Sequence, residues 1–173
     1  QQTGLGLDKG VTLLDKWVQT SKVANVDIAT LATSFAIVGE AALNAGLSVD
    51  ELNGLIATIA ASGITSARET GNAVRAIVTG FQSPAATKEL QGFGIAVIDI
   101  EGKARNLKDI MVDVGQAVSS GRITEDQLNK IGTAVGGGNR RAVQVVIVLI
   151  KQGALEQVVG YSATAEGQAQ RAL

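Results

Sequence analysis

Four groups of residues have types and spacings suited to chemistry. Asp50 and Glu51 are adjacent carboxylates, as are Glu125 and Asp126, and such pairs supply acid–base catalysis when one carboxyl stays protonated. Asp109 and Asp113 lie four apart, on one face of a helix, where two carboxylates would take Mg²⁺ or Ca²⁺. Gly136-Gly137-Gly138-Asn139-Arg140-Arg141 offers loop amides, a helix N-terminus and two guanidiniums to a phosphate. Ser and Thr are plentiful as hydroxyl nucleophiles.

Local sequence gives each group a plainer role. Asp50/Glu51 follow Ser48 and Glu125/Asp126 follow Thr124, so both pairs fall inside capping boxes, where acids complement the helix N-terminus. No third acid lies near Asp109 and Asp113. The glycine run lacks the Gly-Lys-Ser/Thr ending of a phosphate loop and a preceding strand. Histidine and cysteine are both absent. That removes the base of a serine triad, the thiolate nucleophile, the Cys/His zinc site and any disulfide framework. The expectation is a chain that is not an enzyme and takes no cofactor and no metal.

The elements that would position these residues are helices. Of 173 residues, 46% are apolar and only 3% aromatic, so the core must be Ala, Val, Leu and Ile. The 21 glycines fall mainly between apolar-periodic segments, and Pro84 is the single proline. Lys plus Arg is 15 and Asp plus Glu is 16, for a net charge of -1. That balance argues against a dedicated nucleic-acid binder, whose affinity comes from basic residues on phosphates. The longest apolar run, Val145 to Ile150, is far below the roughly 18 residues of a spanning helix. The chain begins at Gln1, without an initiator Met, and is expected to be a piece of something longer.

Capping residues and glycines mark out seven or eight helices. The first runs from about Leu7 to Val23 and carries Trp17. In the second, about Val26 to Ala45, Ile28, Leu31, Phe35, Val38 and Ala42 step by 3, 4, 3 and 4. That seam faces one partner, inside the fold or on another subunit, and is the candidate oligomer contact. Gly46 suits a C-cap. Ser48 opens a helix with Leu52, Leu55, Ile56 and Ile59 inside, stopped at Gly63. Ser66 to Glu69 repeats the capping box and opens a helix burying Val74, Ile77, Val78 and Phe81. Ser83-Pro84 opens a short helix to about Leu90. Gly92 to Lys103 has two glycines, a β-branched run and a Glu-Gly turn, which predicts a small β-hairpin at about 94–105. Helices resume at Asn106, with Leu107, Ile110, Met111, Val114 and Val118 on one face, and at Thr124, with Leu128, Ile131 and Val135 inside. For 143–150, periodicity does not separate a buried helix from a buried strand. The Ala-, Gln- and Glu-rich end reads as a projecting helix.

The expected fold is therefore mainly α: a compact multi-helix domain with one β-hairpin and a projecting C-terminal helix. The expected divisions are 1–45 as a helical arm or hairpin, 46–152 as a core domain and 153–173 as an Ala-rich helix leading into a longer chain.

The order of segments from about Leu43 to Leu149 resembles the core of phage tail tape measure proteins. Gly46-Leu47-Ser48-Val49-Asp50-Glu51-Leu52 is similar to the family's Gly-x-Ser-x-x-Glu-Leu helix start. Ala60 to Ile64 resembles its glycine stop at Gly63. Ala73 to Ile77, with Arg75, and then Pro84 resemble a helix pair. Leu90-Gln91-Gly92-Phe93-Gly94-Ile95, then Asp99 and Gly102, is similar to the most distinctive piece, Leu-x-x-x-Gly-Ile … Asp-x-x-Gly. Leu107 to Met111, with Asp109, resembles the family's next helix start. Leu128 to Arg141, with Gly136, resembles the turn before its last hydrophobic helix. Where the family often has Phe-Gly at that turn, this chain has Val135-Gly136, and Asn72-Ala73 stand where bulkier residues are common.

The resemblance implies a structural virion protein that sets tail length during assembly and takes part in genome ejection. It implies as partners further copies of the chain (a trimer or hexamer), tail tube, tail chaperone and tail-tip or baseplate proteins, and the host membrane at ejection. No specific nucleic acid is implied. The implied location is the interior or tip of the tail, with host cytoplasm during assembly. A helix rises ~1.5 Å per residue, so length in sequence becomes a distance. A folded domain is not itself the extended ruler, and this one is expected to anchor or nucleate near the tip or a terminus. The competing readings are a peptidoglycan-cleaving fragment, poorly served by so few aromatics, and a membrane-active helical domain.

Overall fold

A computed structural model of the chain describes residues 7–64, 66–137 and 139–151. Among these, eight α-helices succeed one another: α1 (Leu7–Ala24), α2 (Ile28–Asn44), α3 (Val49–Ala61), α4 (Ala67–Phe81), α5 (Pro84–Gly92), α6 (Leu107–Ser119), α7 (Glu125–Gly136) and α8 (Arg140–Lys151). The projecting C-terminal helix expected at 153–173 lies outside the described residues.

Side chains start most of these helices. Ser48, Ser66, Ser83 and Thr124 each accept a hydrogen bond from the amide three residues on, which satisfies one of the donors a helix leaves free at its first turn. Asn106 accepts in the same way from the Lys108 amide, two residues on. At Ser48 and Thr124 the bond is reciprocated by Glu51 and Gln127. At Ser66 it is not. The Glu69 carboxylate instead lies 2.8 Å from Arg141 Nη1 on α8, so a tertiary ion pair replaces half of the expected box.

Glycines end the helices by a specific geometry. At the end of α2, Gly46 takes φ +84°, Leu47 N–H donates to Ala42 O and Gly46 N–H to Leu43 O. This is a Schellman motif. The end of α5 repeats it: Gly94 takes φ +73°, Ile95 N–H donates to Leu90 O and Gly94 N–H to Gln91 O. Leu90 and Ile95 are both buried, as the motif's apolar contact requires. The distinctive Leu-x-x-x-Gly-Ile string is thus a helix stop, with its glycine at the left-handed position and its two apolar ends packed into the core.

That stop also explains why the β-hairpin expected at 94–105 is absent. There is no strand among the described residues. A single isolated bridge joins Ile98 and Ala104. Ile95 and Val97 turn their side chains into the helical core. The Asp99 carboxylate takes the amides of Glu101 (2.9 Å) and Lys103 (2.8 Å). The Arg105 guanidinium donates to Ala96 O at 2.7 Å and also meets Asp113 at 2.8 Å. Backbone pairing stops at the two bonds that flank the bridge, Asp99 N–H to Lys103 O and Arg105 N–H to Val97 O, and the segment is a loop between α5 and α6 pinned by these side chains.

The open choice at 143–150 resolves as helix. In α8, Ala142, Val145, Val146, Leu149 and Ile150 are buried, at the spacing of one helical face. α8 lies against α7 so closely that a Cβ on Gly136 would meet Val143 Cγ2 well inside contact distance. No helix among the described residues is long and apolar enough to cross a membrane. The apolar face of α8 is buried in the core, which overturns the membrane-active reading.

The core is one continuous cluster reaching from Val26 to Ile150. The most extensive helix pairing is α2 on α4, so α2 is packed into the body of the later helices. α1 is tied to α3 by polar bonds. Trp17 Nε1 donates to the buried Asn53 Oδ1 at 2.9 Å, Lys16 pairs with Asp50 at 2.7 Å, and the Trp17 ring meets Phe35 edge-on at 5.8 Å.

Candidate interaction surface

The carboxylate pairs lie in the first turns of α3 and α7, behind the capping boxes that Ser48 and Thr124 open. Asp50 holds Lys16, and Glu51 closes the Ser48 box. Glu125 meets Lys151 of α8, whose side-chain hydrogen bond holds the Glu125 carboxyl below its usual range. Asp113 is paired with Arg105, and Asp109 is exposed in the first turn of α6. No group of three or more candidate metal-binding side chains occurs among the described residues. At the start of α8 the Asn139 side chain itself accepts from the Arg141 and Ala142 amides. Two of the amides that a phosphate would use at this helix start are taken by the chain's own cap.

The string of motif residues separates into two places. Gly46, Glu51, Asn106 and Lys108 are far apart in sequence, yet they meet at one junction. Asn106 Nδ2 donates to Gly46 O, Leu107 N–H to Ala45 O, and Lys108 Nζ lies 3.0 Å from Glu51 Oε1. The α2–α3 turn is thereby joined to the start of α6. Partial burial alone would raise the Glu51 carboxyl. The Ser48 amide, Lys108 and the Ser48 hydroxyl outweigh it and hold Glu51 below its ordinary value. The hydrogen bond to Glu51 raises Lys108.

The junction makes stability depend on pH. Because Glu51 is depressed in the folded state, the stability it contributes is present above the ordinary glutamate pKa and is lost as pH falls through its folded value. Lys108 is raised, so its share persists through neutral pH and is lost only as pH rises through its folded value. Glu51→Gln is expected to cost about 1 kcal/mol at neutral pH and to flatten the acid side of the stability profile. Urea unfolding between mildly acidic and neutral pH tests this. An unchanged acid limb in the variant would show that the junction does not carry the effect.

The pinned loop leads away from this junction. Asp99 and Gly102 (φ +80°) shape it, and at its tip Ile100 is 105% exposed, with Ile98 at 48%. Between the loop and the end of α4 lies a cleft of ≈ 270 Å³ reaching Phe81 and Leu107. Nothing in the sequence marks Ile100 as exposed, because a β-branched run reads as a strand.

The second place is at the opposite end of α4. Gly63 (φ +100°) ends α3, Arg141 begins α8, and between them a groove of ≈ 470 Å³ is floored by Ile64, Val145 and Val148. Gly136 is buried in the α7–α8 crossing. Arg75 and Pro84 are exposed, Pro84 at the first position of α5.

The seam on α2 is divided. Leu31, Val38 and Ala42 are wholly buried within the chain, Phe35 is half-buried and Ile28 is 37% exposed.

No curated protein and no solved structure matches the chain. The family described as phage-related minor tail protein matches residues 1–137. That span takes in seven of the eight helices, both Schellman stops and the junction at Asn106. Matched over most of its length, this chain belongs to the phage-related minor tail protein family.

Proposed function

We propose that this chain is the folded core domain of a tape measure-type tail protein, a structural part of the tail that anchors or nucleates the length-setting chain. The observation that carries this reading is the junction. The segments resembling the tape measure core, 46–52 and 90–109, meet at Asn106–Gly46 and Glu51–Lys108, so their order in sequence serves one tertiary contact. The small, almost aromatic-free core makes an anchor assembled from short helices, and the ruler is an extended helical part of the same gene product. Tail tube, tail chaperone and tail-tip proteins are the partners of that role, the tail is its location in the virion, and host cytoplasm is where it assembles.

Electron microscopy of tails tests it. An in-frame insertion of a helical segment outside this domain, in the gene that encodes it, is expected to lengthen tails by ~1.5 Å per inserted residue. Deleting the folded domain is expected to abolish tails, not to shorten them in proportion. Tails of unchanged length after the insertion would overturn the tape measure role and leave a minor tail protein of another kind.

A further inference from the structure

We propose that the pinned loop of one copy docks in the groove between α3 and α8 of a second copy, joining chains head to tail. This contact goes beyond the length-setting role and does not depend on it. Ile100 is fully exposed on a loop whose shape is already set by Asp99 and Gly102. An apolar side chain held out on a pre-ordered tip is an anchor whose ordering cost has been met before binding. The groove has room for it, at ≈ 470 Å³ over Ile64, Val145 and Val148, the last 37% exposed.

Charge also matches. The tip carries Asp99 and Glu101 against one Lys103, and the groove is lined by Arg141. The present partners of these charges, Lys103–Glu101 and Arg141–Glu69, are both well exposed. Such pairs are weak in water and exchange readily for an intermolecular pair.

Geometry makes the contact intermolecular. The loop packs by Phe81 and Gln82 at the end of α4, and the groove lies by Glu69 at its start, through Arg141. Those points are ~18 Å apart along the helix axis at ~1.5 Å per residue. A knob and a hole on opposite ends of one chain form a heterologous contact, which closes a ring or extends a file of copies.

The test is light scattering and sedimentation of the 173-residue chain up to about 1 mM, the range of a small, weak interface. The wild-type mass is expected to rise with concentration past the dimer. Ile100→Asp and Val148→Asp change exposed positions; each is expected to keep the wild-type melting temperature and to stay monomeric. Mixed one to one, they are expected to form a dimer and nothing larger, because only one intact knob and one intact hole remain. Ile100→Ala and Val148→Ala, which add no charge, are expected to weaken association at least about ten-fold. A wild-type chain that stays monomeric, variants that still associate, or a mixture that gives no dimer would each overturn the proposal. A monomeric chain whose Ile100→Asp variant blocks tail assembly would assign the tip to a different tail protein and would equally overturn it.

Discussion

Gly80→Ala should lower the unfolding free energy by about 3–5 kcal/mol, at the top of the range for a single substitution. Gly80 lies near the end of α4, in an ordinary helical conformation. A methyl group there would meet Val135 O well inside contact distance and stand 2.7 Å from Val135 C. Both are backbone atoms of α7, so no side-chain rotation relieves the clash. To restore van der Waals distance the two helices would have to part by roughly 1.5 Å. Phe81, Val78 and Ile131 lie fully buried on these helices, and close-packed interiors do not absorb such a shift. Alanine is the better helix former by ~1 kcal/mol, so propensity alone predicts a gain. The sign of the measured change therefore decides between local and tertiary control. Urea unfolding followed by far-ultraviolet circular dichroism measures it. A variant within about 1 kcal/mol of wild type would mean that α4 and α7 do not cross at Gly80 as closely as the structure has them.

The second large effect is expected at Leu31. Leu31→Asp places a carboxylate at a wholly buried position where α2 packs on α4. The neighbouring buried polar group, Ser34, already donates to Ala67 O, and the buried core among the described residues contains no cation to pair with the new charge. Burying an unpaired carboxylate and removing a core leucine act together. The expected loss is at least about 4 kcal/mol, and for a domain of ordinary stability most molecules unfold. Ile28→Asp, on the same stripe but 37% exposed, is expected to cost less than about 1 kcal/mol. Thermal melts separate the two. If α2 were an oligomer seam at Leu31, the variant would remain helical and merely dissociate. Loss of helix with loss of mass would show that Leu31 holds the chain's own core. Retained helix at the wild-type melting temperature would refute the packing of α2 on α4.

These substitutions mark the boundary between what local sequence controls and what packing controls. Helix starts and stops are legible because the chemistry is short-ranged. A serine or threonine meets an amide three residues on, and a glycine at a positive φ closes the last turn. Ser48, Thr124, Ser83-Pro84, Gly46, Gly63 and Gly121 follow from a few neighbouring residues each. The inward faces of α3, α4, α6 and α7 are legible for a similar reason, since a spacing of three and four residues repeats the turn of the helix itself. The absence of histidine and cysteine, and the placement of the acid pairs within caps, are likewise visible in composition and in neighbours.

The loop at 94–105 reads as a hairpin because a β-branched run between glycines satisfies two structures equally well. Only the tertiary structure shows that Ile95 completes a helix stop, that Val97 enters the core, and that pairing ends at one bridge in a loop pinned by the Asp99 and Arg105 side chains. The same holds for α8, where β-branching leaves helix and strand open until α6 and α7 supply a surface for one face of a helix. It holds for Glu69, drawn from its own cap by an arginine seventy-two residues away, and for Asn106, whose partner Gly46 is sixty residues away. The seam on α2 shows the limit most directly. Its period guarantees a partner surface, but the period is the same whether that surface belongs to the chain or to another copy. The amino-acid sequence by itself determined where most of the helices start and stop and that no histidine or cysteine chemistry is present, because those depend on composition and on contacts within a few residues. Which faces meet, how closely Gly80 and Gly136 let them approach, and that Ile100 is left in water were decided only by the tertiary structure, because those depend on the shapes of surfaces that no short window of sequence contains.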